Sequence, residues 1–249
     1  MSGRPGGRAV LLEELTSPEF EKRARKKPLV IVPFGSVEEH GPHLPLCTDA
    51  YQAESVALRV ADRFDALVCP AMRYGESRST RNFPGTLSLS SDTVRGLTRD
   101  IVSELARNGI DKVMILTGHA GTAHVNALRD GALSVVERVK GLRVMVLSDY
   151  DIAYDLRGKE FPEDDGHAGM IETSRMLNIR PELVRPPRPV GKERPPKFMV
   201  VSDPERFFPT GVVGDSRGAS AAKGARIDDY IVERISQLVV GNFGLRRVR

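Results

Sequence analysis

The sequence predicts an α/β protein with a mostly parallel central sheet, covered by helices on both faces. Two observations carry that reading: short apolar runs recur along the chain, and stretches of helical period separate them. A third agrees with it. The densest clusters of histidine and carboxylate follow directly after apolar runs, and in parallel sheets sites form at the carboxyl ends of strands.

Taken in order, Ser17-Pro18-Glu19 reads as a helix start, with a capping serine, proline at the first helical position and an acid in the first turn. Leu29 to Phe34 is a buried strand, too short for a helix, ending at Gly35-Ser36. Asp49 to about Arg63 reads as helix, and Ala66 to Pro70 as a second short strand. The clearest helix lies between Asp92 and Asn108. Val94, Leu97, Ile101 and Leu105 share one face, Ser91 or Asp92 can cap it, and Gly109 can close it. Lys112 to Leu116 is a third strand, turned at Gly118 into a helix through Ala127, Leu128 and Val136. Leu142 to Leu147 is a fourth. Pro181 to Pro209 is dense in proline and charge and reads as an irregular excursion, serving as a lid, an oligomer contact or a connection. A final helix has Ile227, Tyr230, Ile231, Ile235 and Leu238 on its inner face.

A chain of 249 residues suits one large α/β domain and buries enough surface to need no disulfides. Cys47 and Cys69 are the only cysteines and form no CxxC pattern, which argues against a secreted framework. No apolar run approaches the roughly 18–20 residues that span a bilayer. The opening MSGRPGGRAV has no hydrophobic signal core, so a soluble cytoplasmic protein without a membrane partner is expected. The net charge of +4 is concentrated at Lys22 to Lys27 and at Arg246, Arg247 and Arg249. These read as solvated faces rather than a nucleic-acid footprint, because no aromatics interleave with them and no binding motif accompanies them.

The chemistry is concentrated in three segments. The first runs from Ser36 to Pro45, with Asp49 shortly beyond. Glu38 and His40, two apart in an extended segment, point the same way, and Glu39 then faces elsewhere. Gly41 and Pro42 turn the chain so that Asp49, leading a helix, returns to the same place. The second segment is Gly118-His119-Ala120-Gly121, again after a strand. The third, Asp164 to Ser174, puts His167 on an entry loop and Glu172 in the first turns of a helix. Imidazole and carboxylate ligands without thiolate suit zinc, manganese or iron. An aspartate can bridge two ions, and an ion pair can hold a hydroxide and polarise a carbonyl, which is hydrolase chemistry. Neither a GxSxG elbow nor a GxxxxGK[ST] phosphate loop occurs. His43 and His124 are assigned supporting or structural roles.

PFGSVEEHGPHLPLCTD resembles the signature of the creatininase (creatinine amidohydrolase) family. The resemblance continues through Phe83 to Thr86, LTGHAG at Leu116 to Gly121, HAGMIETS at His167 to Ser174, and GVVGDSRGASAAKG at Gly211 to Gly224. It implies a three-layer α/β/α fold over residues 1–249 as one domain, two divalent metal ions, amide C–N hydrolysis and a homohexamer. Carried over, Glu38 and His119 bind one metal, His40 binds the other and Asp49 bridges both. His167 matches the family's proton shuttle. Creatininase has a glutamate where this chain has Gly121, so Glu172 is expected to supply the missing ligand, with a supporting role as the other reading. The chain has no tryptophan to enclose creatinine, so another small-molecule amide is the expected substrate, attacked by a metal-bound hydroxide. The alternatives are a formamide deformylase acting on a nucleotide-like or pterin-precursor substrate, with Arg73, Arg78 and Arg81 meeting a phosphate, or a non-catalytic metal-stabilised scaffold.

Overall fold

The computed structural model describes residues 9–194 and 196–248. The segment MSGRPGGR, Pro195 within the proline-rich excursion, and Arg249 of the terminal basic cluster lie outside the described residues.

The elements are β1 (Val10–Leu11), α1 (Ser17–Ala24), β2 (Leu29–Phe34), α2 (Thr48–Phe64), β3 (Leu67–Val68), α3 (Ser91–Arg107), β4 (Lys112–Thr117), α4 (Thr122–Val136), β5 (Arg143–Ser148), α5 (Tyr150–Ala153), α6 (Met170–Ile179), β6 (Val190–Gly191), β7 (Gly214–Asp215) and α7 (Ala221–Phe243). Strands β1 to β5 form one sheet in the order β1-β3-β2-β4-β5, with every pairing parallel. β6 and β7 form a separate antiparallel pair.

The two-residue alternation of the strands builds two cores. Leu29 and Ile31 of β2 and Met114 and Leu116 of β4 face α2, α7 and Ile171 of α6. Val30, Val32 and Phe34, with Val113 and Ile115, face α3 and α4. Side chains as deeply buried as Ile31 each contribute about 1.5–3 kcal/mol, which makes the strand ends a rigid platform. After β2 the chain crosses to α2 on one face; after β4 it crosses to α4 on the other. The crevice between these departures is where ligand sites form in parallel sheets.

Some expected details shift. Thr16, not Ser17, caps α1, and the Glu19 carboxylate accepts from the Thr16 N–H (2.8 Å) and hydroxyl (2.6 Å). Ser90 caps α3, accepting from the Thr93 N–H at 3.2 Å, so the expected Ser91 and Asp92 fall inside the first turn. On α7 the inner row is Ile227, Ile231, Ile235 and Val239; Leu238 is 41% exposed, because one helical step turns it away from that row. β1 and α5 are too short to leave a periodic signal.

A buried charge cluster lies behind the crevice. Arg175 of α6 donates to Asp149 Oδ2 (2.6 Å) and to Asp228 Oδ1 of α7 (2.7 Å), and all three residues are buried. The expected excursion is largely irregular, apart from β6 and single turns at Pro181–Leu183 and Pro204–Phe207. Phe198, Met199 and Val200 are exposed on it. Among the described residues no helix is long and apolar enough to cross a membrane.

Candidate metal centre

The crevice is closed by an approach that only glycine permits. A Cβ on Gly118, just past β4, would stand 2.1 Å from the carbonyl oxygen of Asp49 in the first turn of α2. The ends of β2 and β4 and the start of α2 therefore meet at one point. The side chains of Glu38, His40, Asp49 and His119 converge there, all buried.

Asp49 occupies the middle. Its Oδ1 lies 3.0 Å from His40 Nε2, and its Oδ2 lies 3.2 Å from His119 Nδ1. His119 Nδ1 is also 2.8 Å from Glu38 Oε2, and His40 Nε2 is 3.6 Å from Glu172 Oε2. Each ring commits its other nitrogen to a backbone carbonyl, which can only accept: His40 Nδ1 donates to Glu38 (3.0 Å) and His119 Nε2 to Glu76 (2.9 Å). This fixes which nitrogen of each ring faces the carboxylates, and that nitrogen offers a lone pair to a metal once its proton is lost, the pattern expected of metal-binding histidines. Glu38, Asp49 and His119 each offer an atom within 4.8 Å of the others, and so do Glu38, His40 and His167. The donor set fits divalent cations.

The electrostatics agree. Burial by itself works against a charged His40, but Asp49, then Glu172 and Glu38, outweigh it and hold the pKa up at about 10. His119 is likewise raised well above the usual imidazole range by Glu38 and Asp49, against burial. Burial pushes Glu38 upward, but His119 overcomes it and brings the carboxyl down to about 2. The pocket thus demands positive charge.

His167 lies beside this group rather than within it. Its ring centre is 4.3 Å from that of His40, its Nε2 donates to the Glu39 carbonyl at 2.6 Å, and Phe208 from the end of the excursion packs edge-on at 5.6 Å. Glu172 is held by the Ala168 N–H, which donates to its Oε2 at 2.6 Å. The five expected ligands and His167 are therefore brought together. At position 121, a Cβ would stand 2.5 Å from His119 Nε2, so the glycine lets that ring reach Glu76.

Several neighbours escaped the sequence reading. The Ser36 hydroxyl lies 2.6 Å from Asp49 Oδ2 and 3.0 Å from Glu38 Oε2, and Thr80 donates to Glu38 Oε1 at 2.5 Å. Glu39, expected to face elsewhere, is buried with its Oε2 3.7 Å from His167 Nε2. Nothing local marks Thr80, which comes from a loop 42 residues away. His43 bonds Thr173, and His124 accepts from the Glu76 N–H and packs edge-on against the His119 ring at 5.1 Å, so both support the cluster from outside it. Arg78 is paired to Glu76 at 2.6 Å and Arg73 to Glu54 at 3.3 Å.

A family model described as creatinine amidohydrolase (creatininase) matches residues 13–239. The chain belongs to the creatininase family. It is 32% identical to the creatinine amidohydrolase of Pseudomonas putida, over 95% of this chain and 98% of that one. It is also 32% identical to the mycofactocin precursor peptide peptidase of Mycobacterium ulcerans, over 96% of each. Two solved creatininases, one with Mn and one of Zn–Zn type, superpose with a TM-score of 0.82 at 31% identity, covering 94% of this chain and 99% and 98% of theirs. The three-layer α/β/α fold expected from the resemblance is thereby established. These creatininase relatives are named for hydrolysis of an amide or a peptide, and the solved creatininases are metal-bound forms.

Proposed function

We propose that this creatininase-family chain is a metal-dependent amidohydrolase that cleaves a C–N bond of a small amide other than creatinine. Glu38 and His119 would hold one divalent ion, His40 and Glu172 a second, and Asp49 would bridge them. The observation that carries this reading is the division of Asp49: one oxygen faces each histidine, and each histidine has its far nitrogen tied to a carbonyl. The metal-bound relatives and the charge demand of the pocket support it.

When bound, the ions supply Lewis acidity and a water of lowered pKa. Ser36 and Thr80 orient the carboxylates of Asp49 and Glu38 toward the histidines. His167, anchored through Nε2, keeps Nδ1 for proton exchange and delivers a proton to the departing nitrogen. Phe208 limits access of water from that side. The absence of tryptophan favours a substrate other than creatinine.

The test is elemental analysis of purified protein and of Glu172→Ala. Two ions per chain, falling to about one in the variant, is the expected result. One ion in both would mean that Gly121 leaves the second position without a ligand, and none in either would favour the scaffold reading.

A further inference from the structure

The cavity over the candidate ligands has a volume of about 370 Å³, and among the described residues it is lined by one guanidinium and no ammonium group. That guanidinium is Arg157, which follows the turn Tyr154–Leu156 after α5. Its Cζ stacks 3.1 Å above the centre of the Tyr154 ring. Its Nε is buried and makes no hydrogen bond. Among the described residues it has no ion pair within 4.0 Å. Arg23, Arg63, Arg78 and Arg175 are by contrast all paired to carboxylates. A desolvated donor without an acceptor is costly, so this arrangement is one that an anion completes.

The position of Arg157 selects the anion. Its Nη2 lies 3.7 Å from where a Cβ of Gly166 would stand, and Gly166 immediately precedes His167. Arg157 and His167 line the same cavity, and His167 is the group that would protonate the departing nitrogen. The mouth of the cavity carries Glu163, Asp164 and Glu193, all exposed, which repel a multiply charged phosphate more strongly than a carboxylate. One planar guanidinium matches one carboxylate through two parallel N–H donors.

We propose that Arg157 is a specificity-determining residue that holds a carboxylate on the amine side of the scissile amide, making the substrate an N-acyl amino acid or the terminal residue of a short peptide. This rests on the amidohydrolase reading above. In that reaction the amide C–N bond breaks, the acyl carbon takes the oxygen of water, and the nitrogen takes a proton through His167. The amino acid departs with its carboxylate still on Arg157.

The test is calorimetric binding of N-acetyl-alanine and of its carboxamide to metal-loaded wild type, Arg157→Met and Arg157→Lys. Methionine keeps an apolar stem against Tyr154, and lysine keeps the charge without the fork. The wild type is expected to prefer the carboxylate by about tenfold or more, the yield of one charge-assisted contact. That ratio falls to about one in Arg157→Met and is intermediate in Arg157→Lys. A preference retained by Arg157→Met would place the anion elsewhere and overturn the inference, as would a wild type that prefers neither ligand or binds neither. Because the readout is binding, the two readings fail separately. An Arg157-dependent preference in a protein that hydrolyses no amide would remove only the hydrolase reading. Hydrolysis of amides with a binding ratio of one would remove only the role of Arg157.

Discussion

The two halves of the candidate centre share Asp49 but are built differently. In the His119 half, Glu38 and Asp49 lie 2.8 and 3.2 Å from one ring nitrogen, and all three residues follow or face the two central strands. In the His40 half, Asp49 lies at 3.0 Å and Glu172 at 3.6 Å, and Glu172 comes from α6. One half is thus set by the sheet and the other by how a helix docks. The contrast predicts that the His119 half is the tighter and more tolerant of change elsewhere, while the His40 half depends on everything that holds α6.

The strongest way to break the distinction is to remove what the halves share. Asp49→Ala should lose both ions together and bring turnover to background, measured by metal content and amide hydrolysis. An ion retained at full occupancy would mean that the halves are independent. Less drastically, His167→Ala should reduce turnover by about a hundredfold to ten-thousandfold while metal content stays near wild type, because the side chain handles a proton rather than an ion. Equal loss of metal would instead make His167 a fourth ligand of the His40 half, beside His40, Asp49 and Glu172, a geometry its proximity to Glu38 and His40 permits.

The smallest effect is one of pH. Burial alone would lower His40, but Asp49 and then Glu172 hold it at about 10, against an ordinary 6.5. A proton held more tightly in the folded than in the unfolded state stabilises fully below about 6.5, and that contribution disappears as pH rises toward 10. A metal needs the same ring neutral, so the gain on loading should grow over this window. Thermal melts with and without metal should show a larger shift at about pH 9 than at 6.5. An equal shift at both would show that His40 carries no extra proton.

Much of this centre was legible because sheet ends advertise themselves: β2 and β4 are apolar runs that stop at glycine, and the next polar residues must line the crevice. The amphipathic faces of α2 and α3 were likewise readable from their period. What escaped depends on tertiary approach. The alternation argument sent Glu39 away from the site, yet the turn at Gly41 brings its carboxylate back beside His167. Thr80 and Arg157 belong to no motif and acquire meaning only from what stands opposite them. Leu238 was misplaced because apolar character outran helical phase, whereas Val239 completes the row from Ile231 and Ile235.

The buried Arg175 cluster has a bearing on biosynthesis. Arg175 and Asn178 of α6 both grip Asp228, 53 and 50 residues further along the chain. A nascent chain that has emerged through His119 already contains every side chain of one half. The helix that presents Glu172 can bond Asp149, already made, through Arg175, but its buried anchor is complete only once Asp228 has followed. The same helix, α7, covers the face of β2 and β4 that packs on α2, so the last helix to be made completes both the core and the second half of the centre.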